Sequence, residues 1–192
     1  LILNTDSYKA SHFLQYPPGT EFVSSYIEAR PKEGMEREVM FFGLQMFIQN
    51  YLTRPFTAAD VEEAQSLCKK HGVPFNREGW DYILDAHGGF LPLIIEALPE
   101  GLVVPAGTPM VQVRNTDPKV PWLTSYMETA LLRAVWYPST VATISRDIKK
   151  VIKHWLDATS DDPEGQLPFK LHDFGARGCT SMEQAGIGGA AH

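Results

Sequence analysis

The stretch Phe169–His192, FKLHDFGARGCTSMEQAGIGGAAH, decides the fold class. Phe169–Phe174 reads as a short strand, Gly175–Gly178 as a Gly/Arg turn, and Thr180-Ser181-Met182-Glu183 as the start of a helix. A helical stretch, Ser139–Leu156, comes before it, and the loop Ser160–Gly165 joins the two. Helix, strand, turn and helix in that order open a βα array that needs further strands to close. Ligands in such arrays collect at the carboxyl ends of strands. KLHDFGARG at Lys170–Gly178 therefore reads as a ligand-binding corner. Gly175 and Gly178 permit tight turns and close approach. Arg177 offers a planar fork of donors for phosphate or carboxylate. Phe174 offers a flat face to a heteroaromatic ring. Together they suggest an aromatic, phosphate-bearing ligand. The same residues also read as a core phenylalanine, turn glycines and a surface arginine in a salt bridge.

Working outward, the rest of the chain mixes α and β elements without repeats. Asn4–Tyr16 carries helix-capping chemistry at Thr5-Asp6-Ser7 and stops at Pro17-Pro18-Gly19. Glu21–Arg30 alternates Phe22, Ser24 and Tyr26 against Val23, Ser25 and Ile27, the period of a strand. Pro31–Arg37 is a charged loop, and Phe41–Leu52 is apolar at helical spacing. A helix begins at Thr57 and ends with Lys69, Lys70 and His71 before Gly72, charges that suit the helix dipole. Asn76–His87 is the next helix, closed by Gly88-Gly89. Phe90–Asn115 holds three β-type runs, Leu93–Leu98, Leu102–Val104 and Met110–Val113, separated by PEG and PAG turns. Val120–Tyr137 is helical, with Trp122, Met127, Leu131 and Val135 near one face, and Pro138 punctuates it. In the next helix Ile144, Ile148, Val151, Ile152 and Trp155 share a stripe. The expected fold class is α/β, α+β at the front. Residues 1–135 form a mixed α+β domain with a small antiparallel β unit at 90–115, and residues 136–192 begin a barrel domain.

The chain has 192 residues, 44% hydrophobic and 21% charged, enough for a sizeable core. A net charge of -6 without Lys/Arg runs argues against nucleic acid or anionic membranes as main partners. The two cysteines, Cys68 and Cys179, offer no disulfide framework and no zinc spacing. No apolar run reaches membrane-spanning length. These features lead us to expect a cytoplasmic protein. Residue 1 is Leu, and the last residues, QAGIGGAAH, are small and apolar, so the sequence reads as part of a longer chain.

Other residues carry two readings each. In Asp6-Ser7-Tyr8-Lys9, Tyr8 is placed to stack on a ring and Asp6 to hold a ribose hydroxyl; alternatively Asp6 caps a helix and Tyr8 lies on the surface. Arg30, before a loop holding Lys32 and Arg37, is either a phosphate ligand or a solvated arginine. Gly186-Ile187-Gly188-Gly189 either presents amides to an anion or allows close helix packing. The histidines show no metal spacing, and His172-Asp173, neighbours on an expected strand, point to opposite faces. No residue qualifies as a catalytic base, and no metal ligand is assigned.

Long ordered blocks now point to one family. TDSYKASHFLQYPP at Thr5–Pro18, FFGLQ at Phe41–Gln45, GWDYIL at Gly79–Leu84 and PEGLVVPAG at Pro99–Gly107 resemble nicotinamide phosphoribosyltransferase. NTDP and WLTSYMET within Asn115–Thr129, WYPSTVATISR at Trp136–Arg146 and KLHDFGARG extend the resemblance over nearly the whole chain. The sister family, nicotinate phosphoribosyltransferase, shares the plan but matches TDSYK…QYPP less well. The resemblance implies an open-faced β-sandwich-like front domain leading into an incomplete type II phosphoribosyltransferase α/β barrel. It implies transfer from phosphoribosyl pyrophosphate to nicotinamide with Mg2+, giving nicotinamide mononucleotide and pyrophosphate, with ATP as an activator. The assembly it implies is a head-to-tail homodimer with sites at the interface. By position, Phe174 resembles the residue that stacks on the nicotinamide ring, and Tyr8 the partner subunit's tyrosine on the other face. Arg177 resembles the arginine near ring and diphosphate, while Asp6 and Arg30 resemble residues lent to the partner's site, Arg30 toward phosphate. Ala176 departs from the pattern, which has Tyr there in vertebrate members. The family's catalytic histidine and later phosphate loops match nothing up to His192, so catalytic residues are expected beyond it and this chain alone is expected to be inactive. The alternatives are a nicotinate-specific enzyme and a non-catalytic binding or dimerisation module.

Overall fold

A computed structural model describes residues 1–31 and 37–192. Lys32 and most of the Pro31–Arg37 loop lie outside the described residues. A 3-10 helix, Ser7–Gln15, opens the chain. It is followed by β1 (Ser24–Glu28), β2 (Glu38–Met40), α1 (Leu44–Phe47, continuing as a π turn over Ile48–Leu52), α2 (Ala58–His71) and α3 (Arg77–His87). Next come β3 (Leu93–Ala97), β4 (Val103–Pro105), β5 (Pro109–Asn115), α4 (Trp122–Tyr126) and α5 (Glu128–Thr159). A short α6 (Pro163–Gln166), 3-10 turns at Leu167–Phe169 and Gly175–Gly178, and α7 (Met182–Ala191) complete the order.

These elements form two compact units, each discontinuous in sequence. The first comprises Leu1–Glu28, Leu44–Leu98 and Pro109–Ala134; the second comprises Ala29–Gly43, Pro99–Thr108 and Val135–His192.

The first unit is built on an antiparallel sheet of order β1-β5-β3. Its alternation follows the sequence: Ile27, Val111 and Val113 are buried, while Tyr26, Gln112 and Arg114 face out. The fully buried Asn115 ends β5, and its amide accepts from Val23 N and donates to the Glu21 and Asp117 carbonyls, each at 2.8 Å. α2 starts on a capping box between Thr57 and Asp60 and ends at Gly72. Gly72 (φ 76°) and Gly88 (φ 60°) both adopt the left-handed backbone that closes a helix. Trp80 of α3 is fully buried, with Phe56, Trp122 and Tyr126 rings edge-on at 5.0–5.2 Å.

In the second unit β2 pairs with β4, Val39 opposite Val104. The three β runs of 90–115 therefore do not share one sheet: β3 and β5 pair in the first unit, and β4 leaves them for β2. α5 also differs from expectation, because it runs through Pro138 without a break. Ser139 and Thr143 explain this. Ser139 Oγ accepts from Phe42 N (3.1 Å) and lies 3.2 Å from Phe42 O, and Thr143 Oγ1 accepts from Met40 N (2.9 Å). The backbone at the end of β2 and just beyond it is thus hydrogen-bonded to helix side chains on the C-terminal side of Pro138, and Val135 on the other side is buried. The helical break falls instead at Met127. On α5, Ile144, Ile148, Val151 and Trp155 are exposed.

The expected strand at Phe169–Phe174 is absent. Its first residue closes a 3-10 turn, Lys170 has helical backbone, and Leu171–Phe174 join no ladder. A strand needs a neighbour to pair with, and side-chain alternation alone does not make one. The Gly175–Gly178 turn and a helix from Met182 do follow.

Candidate functional site

The 3-10 helix near the start of the first unit is held from one side. Thr5 Oγ1 donates to Tyr126 O at 2.9 Å, and Lys9, 6% exposed, pairs with Glu128. Asp6 sits at the N-cap with extended backbone, but its carboxylate caps nothing: it accepts from Thr129 Oγ1 at 2.7 Å. The tertiary donor out-competes local capping. With Lys9 and Ala10 turned inward, Tyr8 is left 53% exposed, its ring 5.0 Å from His12. Asp6 and Tyr8 thus share one anchored turn.

Arg30 is exposed, two residues beyond β1, and belongs to the second unit. Phe174 and Arg177 lie in that unit as well. Phe174 is the N-cap of the 3-10 turn and is 74% exposed. It is not a core residue. Arg177, within the turn, is exposed as well. His172 tilts against Phe174 at 6.2 Å between centroids, and Asp173 Oδ1 accepts from Gly175 N at 2.7 Å. The aspartate serves the turn. Neither Gly175 nor Gly178 has positive φ, so the turn does not use the left-handed freedom that glycine offers.

Behind this turn stands Tyr137, which sequence reasoning did not single out. Its hydroxyl lies 4.0 Å from Cys179 Sγ, and burial, with the Cys179 contact, pushes it above the ordinary tyrosine pKa. A Cβ on Gly188 would stand 2.7 Å from that hydroxyl. Gly188 is therefore a close-packing residue, whereas Gly186 and Gly189 face open space, and all three lie within α7 rather than at its first residue. Ser181 caps α7 by accepting from Gln184 N at 3.1 Å.

The second unit thus offers an exposed ring and a cation on one turn, and the first unit, taken by itself, an exposed ring on its own turn. Among the described residues no group of three or more His, Cys, Asp or Glu is placed to hold a metal ion. No described helix is long and apolar enough to cross a membrane.

Comparison with known proteins adds the following. Residues 1–95 match the family model described as nicotinamide phosphoribosyltransferase, N-terminal domain. The chain is 54% identical, over all of its length, to nicotinamide phosphoribosyltransferase of Xanthomonas campestris pv. campestris. It is 32% identical over 97% of its length to nicotinamide phosphoribosyltransferase of Acinetobacter baylyi. It spans 40% of the length of each of these curated relatives. The crystal structure of human nicotinic acid phosphoribosyltransferase is similar over 78% of this chain and 28% of that one, with TM-score 0.57 and 23% identity. That likeness shows a phosphoribosyltransferase-like fold of mixed helix and sheet.

Proposed function

We propose, from the match of residues 1–95 to the nicotinamide phosphoribosyltransferase N-terminal family model and from the likeness to the curated relatives, that the whole protein belongs to that family and makes nicotinamide mononucleotide for NAD salvage. The reaction joins nicotinamide to phosphoribosyl pyrophosphate and releases pyrophosphate. The observation that carries this reading is that one short turn presents both an exposed Phe174, at its N-cap, and an exposed Arg177. Transfer to an anomeric carbon passes through a cation-like sugar, so the protein must hold a weak, flat nucleophile in line and answer departing negative charge. Phe174 supplies the flat face and Arg177 a donor fork toward phosphate or diphosphate.

The remaining parts of the proposal follow the family pattern. Tyr8, Asp6 and Arg30 serve the site of a second copy in a homodimer, Tyr8 closing the other face of the ring and Arg30 meeting phosphate. The second unit leads into an α/β barrel. Magnesium arrives with phosphoribosyl pyrophosphate. ATP acts as an activator, and the protein works in the cytoplasm. The 192-residue chain by itself is expected to release no nicotinamide mononucleotide.

The test is Phe174→Ala in the complete enzyme. Loss of one stacking face is expected to weaken nicotinamide binding by about 1–3 kcal/mol. An unchanged Michaelis constant for the base would sink the assignment. Competition between nicotinamide and nicotinate then decides which base the site prefers.

A further inference from the structure

Between Leu171 and Phe174 the backbone joins no strand, so no ladder sets the direction in which Phe174 is presented. A side chain from α7's end reaches this segment. His192 lies 3.0 Å through Nδ1 from Ser145 Oγ on α5, and 3.3 Å through Nε2 from the carbonyl oxygen of Leu171. A carbonyl only accepts, so Nε2 carries a hydrogen and donates it to Leu171 O. Nδ1 faces the Ser145 hydroxyl, a group that both donates and accepts. Both supports of the imidazole are themselves fixed. Ser145 stands on α5 two residues beyond Thr143, which bonds the β2 backbone. α7 rests against Tyr137 through Gly188, where a side chain would collide with the hydroxyl.

We propose that His192 is a positioning residue for the ring-binding corner. It transmits the fixed geometry of α5 and α7 to the Leu171 carbonyl, three residues before Phe174, and so sets where the ring face stands. This role rests on the reading that Phe174 takes the nicotinamide ring. No histidine spacing in the sequence announces it, because its partners lie 47 and 21 residues away.

The test compares His192→Phe, His192→Gln and Ser145→Ala in the complete protein. Phenylalanine keeps the ring volume and loses both bonds, whereas glutamine keeps an N–H for Leu171 O. Hydrogen exchange of the peptide Lys170–Gly178 and the nicotinamide KM and kcat are measured for each. His192→Phe is expected to speed exchange in that peptide and to raise KM by roughly two- to tenfold, the scale of one net hydrogen bond. The chemical step is expected to stay near its starting kcat. Partial recovery by glutamine, and a smaller effect in Ser145→Ala, complete the expected pattern. Unchanged exchange at Lys170–Gly178 in both His192→Phe and Ser145→Ala overturns the tie. Faster exchange with an unchanged KM overturns the positioning role, and Phe174→Ala then tells whether the ring assignment has fallen with it.

Discussion

Asp117 gathers three donors from separate places: Lys119 N at 2.8 Å, the Tyr82 hydroxyl at 2.7 Å and His87 Nε2 at 2.8 Å. The Lys119 amide, with Tyr82 and His87 adding to it, holds the carboxyl at about 2, below its ordinary 3.8. A carboxylate with a depressed folded pKa stabilises the fold above its unfolded pKa, and that contribution is lost as pH falls through the folded value. The window is therefore roughly pH 4 down to 2, and the shift corresponds to about 2 kcal/mol. Asp117→Asn is expected to lower stability at pH 7 by about 1–2 kcal/mol and to flatten the acid limb of denaturant unfolding followed from pH 7 to 2. An acid limb identical to the parent's would contradict this. At this scale the sequence shows the kind of residue but not its partner. Asp6 reads as a cap, yet its carboxylate goes to Thr129, 123 residues on. The sequence leaves Phe174 open between a ring-binding face and a core residue, and its 74% exposure removes the core reading.

α5 is the element that local rules misread. Proline removes one backbone donor and crowds the preceding turn, which costs an isolated helix about 3 kcal/mol. In the second unit, tertiary bonds from Ser139 and Thr143 to the Phe42 and Met40 backbone offset that cost. Ser139→Ala leaves the Phe42 amide unpaired and is expected to destabilise by about 1–3 kcal/mol, with Thr143→Ala similar. The double variant is expected to fall short of additivity, because the two residues hold backbone amides only two positions apart, at Met40 and Phe42. Denaturant midpoints for the four proteins check this, and strict additivity would mean that the two act independently. By contrast, α2 and α3 were legible to within a residue, since capping side chains and closing glycines act over three or four positions. The segment at Phe169–Phe174 was misread for the opposite reason: a strand is defined by its neighbour, and alternation carries no information about whether one exists.

Across the whole chain, the order of elements is legible and their partnership is not. β1 and β5 pair through Ser24 and Arg114, ninety residues apart, while β4 lies between β3 and β5 in sequence and in neither's sheet. Nothing in PEG or PAG turns encodes that choice, which depends on which faces need cover. The placement of Tyr8 has the same character. Tyr8 and Phe174 are both exposed aromatic residues, each on its own unit, and the proposed homodimer brings Tyr8 of one copy to Phe174 of the other. This has a consequence that no single-chain measurement reaches. Tyr8→Ala and Phe174→Ala enzymes, each impaired alone, are mixed under conditions that exchange subunits. Every hybrid dimer then has one site with both defects and one with neither. Random exchange makes half of the dimers hybrid, so the mixture is expected to recover about a quarter of the wild-type activity, as two-fold symmetry requires. If Tyr8 served the site of its own chain, each site in the hybrid would keep one defect and mixing would recover nothing. The outcome thus separates a shared site from a self-contained one.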